Sequence, residues 1–527
     1  MTIKTALLAG AALLAVSTAA QAETLRFAFQ GQVSSLDPHS LNETFTLGFQ
    51  GNIYEGLTRR GPDLEIVPAL ATSWEMLEPT HWRFYLREGV TFHNGNPFTA
   101  DDVLFSYERA VSEGSDVGVK IAGIAEVVVV DDYTIDFITE SPNPILMAEW
   151  DTWYIMDQEW SEENGAVGVT NVADPDAENF ANLNANGTGP FMVTSREPGV
   201  RTVAVPFEGW WDEAEHNLTE VVFTPIASDA TRVAALLAGD VDMAYPIPLQ
   251  DVDRINENDG TTALTGPELR TIFLGMDQLR DELLYSDVEG ANPFQDRRVR
   301  LAFYQAINVD AIQQVVMRGQ STPSAAMVAP GINGFPEALE RYSYDPDAAR
   351  ALLAEAGYPD GFSVRMNCPN DRYVNDEDIC IAVTNMLGQV GIEVELMAET
   401  KSIYFGRILA QGGYDTSFYL LGWTPGSFDS YNPLFNLVHT RTDEGSGTFN
   451  NGGYSNADID ALTAQVLEET DEDARNALIA EAWQMLHDDV GYIPLHQQAL
   501  AWGVSDATSL TQRADNQFVW YWVTIGG

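Results

Sequence analysis

Arg201-Thr202-Val203-Ala204-Val205, then Val221-Val222-Phe223, then a stretch opened by Ser228 and closed by Gly239, then Asp240-Val241-Asp242-Met243: these four pieces decide the fold class. The first two alternate or run apolar over strand length, the third has a hydroxyl cap at its start and a glycine stop, and the last reads as a buried strand. Strand, helix and strand at this spacing predict a βαβ unit with parallel pairing, and hence an α/β protein.

Outward from there the same alternation continues. Toward the N-terminus, Thr24-Leu25-Arg26-Phe27-Ala28-Phe29 predicts a strand that runs into the polar loop Ser34-Ser35-Leu36-Asp37-Pro38-His39 at the end of a sheet. Between 53 and 190, strands such as Trp82–Leu86 alternate with turns such as His93-Asn94-Gly95-Asn96, and a helix starts at Thr99 with Asp102 completing a capping box. Toward the C-terminus, helices are expected at 296–307, 345–356 and 378–387, and strands at 362–366 and 392–396. The stretch 458–486 is expected to be helical, with an acidic turn at Asp471-Glu472-Asp473. Shifts in strand content divide the chain into 23–52, 53–190, 191–268, 269–495 and 496–527, with no repeats and no low-complexity linker between them.

A length of 527 residues is too great for one ordinary core, and 45% apolar residues with 12 Trp mark a globular chain. Residues 1–22 hold one cation, Lys4, an apolar run from Ala6 to Val16, and small residues ending in Ala20-Gln21-Ala22, the pattern of a cleaved secretory signal. The mature chain is expected to start at Glu23 in the periplasm. The apolar run falls short of the roughly 18 to 20 residues that span a bilayer. With 27 Lys+Arg against 78 Asp+Glu the net charge is -51, so nucleic acid and anionic membranes are poor partners. The acids are spread along the whole chain, which reads as a solubility or salt-tolerance surface. Cys368 and Cys380, exported to an oxidising compartment, are expected to close a short disulfide loop; a two-thiol metal site would lack a nearby histidine.

No Gly-x-Ser-x-Gly elbow, His-Glu-x-x-His, P-loop or zinc-spaced Cys/His set occurs, and the seven histidines form no local cluster. No metal or cofactor is expected. A carboxylate pair for glycoside hydrolysis is singled out by no spacing among so many acids.

Several strings then align with a known group: Tyr54-Glu55-Gly56-Leu57-Thr58, Pro68–Trp74, the run Leu86-Arg87-Glu88-Gly89-Val90-Thr91-Phe92-His93-Asn94-Gly95 continuing through Val103, Gly187–Phe191, Arg298–Ala302, Tyr344-Asp345-Pro346, Ala354–Phe362 and Ile493-Pro494-Leu495-His496. Across essentially the whole mature chain they resemble the family 5 solute-binding proteins of ABC importers, the dipeptide, oligopeptide and nickel binders. The resemblance implies an α/β, periplasmic binding protein-like fold (type II, cluster C): two main lobes, an extra inserted domain, and a hinge of crossing strands. On that plan 23–52, 191–268 and 496–527 form domain I, 53–190 domain II and 269–495 domain III. It further implies a monomeric, non-catalytic receptor that passes a peptide or peptide-like solute to an inner-membrane ABC permease. Oligosaccharide or nickel are other solutes of the group, and a secreted hydrolase is the reading from a different class.

The site residues follow from the same resemblance. Arg372, in the loop after the 362–366 strand, matches the arginine that anchors a peptide carboxylate, for which a planar guanidinium is suited. The family's amine-binding Asp has no counterpart: in Gly422-Trp423-Thr424-Pro425-Gly426-Ser427-Phe428-Asp429, Gly426 stands at its position. Asp429, or Glu43 from the first domain, is expected to replace it. Trp423 supplies apolar area at the cleft, and Tyr431 and Tyr54 are further aromatic candidates.

Overall fold

The structure is a computed structural model and describes residues 23–170, 172, 179–443 and 445–526. The expected signal segment, 1–22, lies outside the described residues.

An eleven-stranded mixed sheet forms the frame. Its order runs Glu393–Glu399, Ser363–Pro369, Phe418–Trp423, Thr261–Met276, Ile493–Ser505, Met243–Tyr245, Glu23–Phe29, Leu218–Pro225, Arg201–Pro206 and Phe191–Glu197, with Thr322–Pro323 beside Ile493–Ser505. The βαβ expectation holds with one difference. Leu218–Pro225 and Met243–Tyr245 are parallel, but both pair with Glu23–Phe29, which sits between them. The last strand also starts later than the sequence predicts, because the Asp240 amide closes the preceding helix on the Ala235 carbonyl at 2.9 Å.

The two longest strands, Thr261–Met276 and Ile493–Ser505, cross from one half of the frame to the other. Their antiparallel ladder is continuous from Thr261↔Ser505 to Pro267↔Ala499 and resumes at Thr271↔Gln497. Between these points Glu268, Leu269 and Arg270 face Gln498 alone, and the Leu269 amide donates instead to the Ala514 carbonyl at 3.0 Å. Such extra residues bend a strand and re-aim side chains. The boundaries expected at 268/269 and 495/496 fall inside these two strands.

A second, four-stranded antiparallel sheet, ordered Ala71–Glu78, His81–Leu86, Thr134–Thr139, Ile124–Asp131, packs with the helix Ala100–Ala110 around Phe84, Phe137, Trp150 and Trp153. The Thr99/Asp102 capping box opens that helix. The helix is joined to the larger frame by a buried knot: Arg109 donates to Asp37 at 2.8 Å and to His39 Nδ1 at 3.1 Å.

Other helices follow their local signals. Arg297–Ala306 is capped by Asp296, and Pro346–Glu355 by Asp345 with proline in the first turn. Asp376–Gly388 begins two residues before the expected start, after Asn375 in the left-handed region. The 458–486 stretch is two helices, Ala457–Glu468 and Glu472–Asp489, with Asp471 of the acidic turn capping the second. Among the described residues no helix is long and apolar enough to cross a membrane.

Candidate functional site

Where the crossing ladder breaks, a cavity of about 790 Å³ opens between the two halves of the frame. One wall is aromatic. Phe29, at the end of its strand, stacks on Phe45 with ring centroids 3.7 Å apart, and Tyr245 lies 4.9 Å from Phe29 and 5.2 Å from Trp502. All four line the cavity. This wall offers a solute apolar area at small cost in conformational entropy.

The opposite wall is charged. Arg372 sits on the loop between the strand Ser363–Pro369 and the helix Asp376–Gly388, and the Cys368–Cys380 disulfide joins those two elements, with Cα atoms 6.6 Å apart. The loop is held again from inside: the Asp376 carboxylate accepts the Arg372 and Tyr373 amides at 2.9 and 3.0 Å. The Arg372 side chain is open to the cavity, and among the described residues its guanidinium forms no hydrogen bond or ion pair. It stands 5.1 Å from the centre of the Tyr373 ring. Burial lowers its pKa, and the like charge of Arg270 lowers it further.

Arg270 and Glu268 come from the bulged stretch of the crossing strand. Arg270 Nη2 is 3.3 Å from Glu268 Oε1, while Gln498 donates to Glu268 Oε2 at 2.5 Å and accepts the Val374 amide at 3.1 Å. The hinge strands and the Arg372 loop are thereby tied through one amide side chain.

Glu43 faces the cavity from the aromatic side, at the start of the helix Thr44–Gln50. Its carboxylate accepts the Phe45 and Thr46 amides at 3.0 and 2.9 Å, a helix cap that fixes its direction. With burial as the larger cause, its charge raises the Tyr245 pKa well above the ordinary value. Asp371, exposed at the rim, accepts the Lys401 amide at 2.5 Å. Lys401 itself is exposed, whereas Lys120 is tucked against Thr152 by a 2.8 Å hydrogen bond from Nζ.

Of the residues expected at the site, the structure brings Arg372 and Glu43 to one cavity and leaves the other five off its lining. Asp429 is buried, its carboxylate gripped by Arg475 and by Asn333 Nδ2 at 2.8 Å, so it has no free edge for an amine. Trp423 donates from Nε1 to Asn432 at 2.8 Å and packs on Phe449. Tyr431 stacks on Phe435. Tyr54 is fully buried in the core and borders a separate cavity of about 50 Å³ beside Arg59, Arg60 and Arg513. A Cβ at Gly426 would meet nothing within 4 Å, so close packing does not require glycine there.

Sequence reasoning missed Glu268, Arg270 and Gln498, and the aromatic wall. Only Pro267, a residue without an amide donor inside a strand, hinted at a break in the ladder. Among the described residues no three His, Cys, Asp or Glu side chains gather as metal ligands. The cavity gathers a guanidinium, a carboxylate and aromatic faces on one lining, which complements a solute that carries both charges and apolar surface.

The chain matches the family model for bacterial extracellular solute-binding proteins, family 5 (middle), over residues 65–445. It is 24% identical over 493 residues to the glutathione-binding protein GsiB of Escherichia coli (strain K12), covering 92% of this chain and 90% of that one. Among solved structures it is similar to the periplasmic binding protein DppA of Helicobacter pylori in complex with the peptide STSA, with TM-score 0.76 and 24% identity over 96% of this chain and 98% of that one. It is likewise similar to the substrate-binding protein CtaP of Listeria monocytogenes, with TM-score 0.82 and 19% identity over 96% and 100% of the two chains.

Proposed function

Because the chain belongs to the bacterial extracellular solute-binding proteins of family 5, we propose that it is the periplasmic capture component of an ABC importer, enclosing a peptide or peptide-like solute by lobe closure and delivering it to the membrane permease. Domains I, II and III, with the bounds read from the sequence, supply the two closing lobes and the inserted domain. The observation that carries the reading is Arg372, whose guanidinium has no hydrogen bond or ion pair among the described residues, on the lining of a cavity that Glu43 and the aromatic wall also line. A charge in a cleft that sheds water on closure needs a fixed counter-charge, and a carboxylate suits a guanidinium. Glu43, with its direction fixed by the helix cap, takes the solute's amine. The likeness to a glutathione-binding protein and to a periplasmic binding protein solved with a bound peptide supports the same solute class.

Native mass spectrometry of protein purified from the periplasm without refolding tests this directly. The expected result is a retained peptide-sized mass, released unchanged, and at least a tenfold loss of affinity for it in Arg372→Ala. Turnover of the bound molecule would overturn the receptor reading in favour of a hydrolase, and an unchanged affinity in Arg372→Ala would remove the carboxylate anchor.

A further inference from the structure

Two guanidinium groups, not one, face the charged side of the cavity. Arg270 and Arg372 arrive from different elements, the crossing strand and the disulfide-closed loop, and flank the same aromatic ring, 5.9 and 5.1 Å from the centre of Tyr373. Like charges this close repel, and the Arg270 charge acts on Arg372 more strongly than either Glu268 or Glu43 does. Glu268 meets Arg270 at its Nε and Nη2 edge, both at 3.3 Å from a single oxygen, while its other oxygen is taken by Gln498. Asp371 is engaged by the Lys401 amide, and Glu43 and Glu268 reach Arg372 only through their charge, with no hydrogen bond or ion pair to it. Among the described residues no carboxylate forms a hydrogen bond or ion pair with the Arg372 guanidinium.

Resting on the reading of a peptide-like solute, we propose that Arg270 is a second anchor for the solute's carboxylate, which it takes jointly with Arg372 across the face of Tyr373. An anion between the two groups converts a repulsion into two charge-assisted contacts. Glu268 and Gln498 act as positioning residues: they orient Arg270 from behind and fasten the Arg372 loop to the same strand through the Val374 amide. Because Arg270 lies on the bulged part of the hinge, the carboxylate is held at the point where the lobes move against each other.

The same chemistry is presented by a peptide's terminal carboxylate and by an acidic side chain. Four synthetic tripeptide libraries separate these sources: free or amidated at the C-terminus, each with or without Asp and Glu. Affinity for the full mature protein is measured by native mass spectrometry and calorimetry on the parent, Arg372→Ala, Arg270→Gln and Arg270→Lys, with thermal melts to show that each variant is folded. The expected result is binding of carboxylate-bearing libraries by the parent, at least a tenfold loss in Arg270→Gln, partial recovery in Arg270→Lys, and no effect of either change on the library without a carboxylate. Sensitivity confined to free C-termini assigns the terminal carboxylate, and sensitivity in the amidated acidic library assigns the side chain. Parent-like affinity in Arg270→Gln, or an equal loss for all libraries, overturns the second anchor while leaving the receptor reading intact. Failure of the parent to bind any library overturns the peptide reading and the anchor with it.

Discussion

The guanidinium of Arg475 holds both carboxylate oxygens of Asp429, at 2.8 and 2.7 Å, in a pair buried from solvent. Removing one partner of such a pair strands the other charge, at a cost of about 3 to 5 kcal/mol. Asp429→Asn is therefore expected to lower the urea midpoint strongly while leaving solute affinity of the folded protein within twofold. A large affinity loss at unchanged stability would return Asp429 to the binding site.

The disulfide acts on the loop that carries Arg372. Closing a loop of this size contributes about 3 kcal/mol through the unfolded chain. The double variant Cys368→Ser with Cys380→Ser is expected to lose about that much in denaturant unfolding, and several-fold in solute affinity as the anchor loop loosens. Equal affinity in calorimetry would show that Asp376 and Gln498 alone hold the loop in place.

Buried neutral histidine gives the fold an acid limit. His39 Nε2 bonds the Tyr154 carbonyl at 2.9 Å and Nδ1 accepts from Arg109, and burial followed by the Arg109 charge lowers its pKa to about 4. His93 and His496 are lowered to about 4 and about 3, in both cases mainly by burial. The folded value lies below the unfolded value of roughly 6.5, so the unfolded chain binds more protons in between. The contribution is whole above that pH and is lost as pH falls toward 4. Asp102 and Glu149, raised by burial to about 6 and about 7, act in the opposite direction, losing their contribution as pH rises through those values. Comparing His39→Asn with the parent cancels these terms. The difference in unfolding free energy is expected to shrink by on the order of 2 kcal/mol between pH 7.5 and 4.5; a difference independent of pH would refute the neutral ring.

A net charge of -51 repels itself at low ionic strength. Raising salt from 0.1 to 1 M shortens the screening length from about 10 to about 3 Å. The melting temperature is expected to rise by several degrees over that range in scanning fluorimetry. A fall would mean that ion pairs outweigh the excess of acids.

What the sequence discloses depends on how far apart the partners lie. The Thr99/Asp102 box, the Asp345-Pro346 start and the strand Glu23–Phe29 are local, and the structure has them where the residues predict them. The place of Glu23–Phe29 in the sheet depends on pairing with Leu218–Pro225 and Met243–Tyr245, about two hundred residues away, and no local pattern encodes it. The same distance hid the hinge cluster, since Glu268 meets Gln498 across 230 positions. Asp429 looked available because Arg475, which occupies it, is 46 positions on. Arg372 and Glu43 were legible as residue types, but their convergence on one cavity comes from the crossing strands.

Lysine is so scarce that the chain nearly labels itself. Lys4 lies in the expected signal segment, Lys120 is hydrogen-bonded to Thr152, and Lys401 stands exposed beside the rim residue Asp371. Once the mature N-terminal amine is blocked, an amine-reactive dye has one exposed lysine to take, beside the rim of the cavity, and its emission is expected to change when solute enters, with no engineered attachment point.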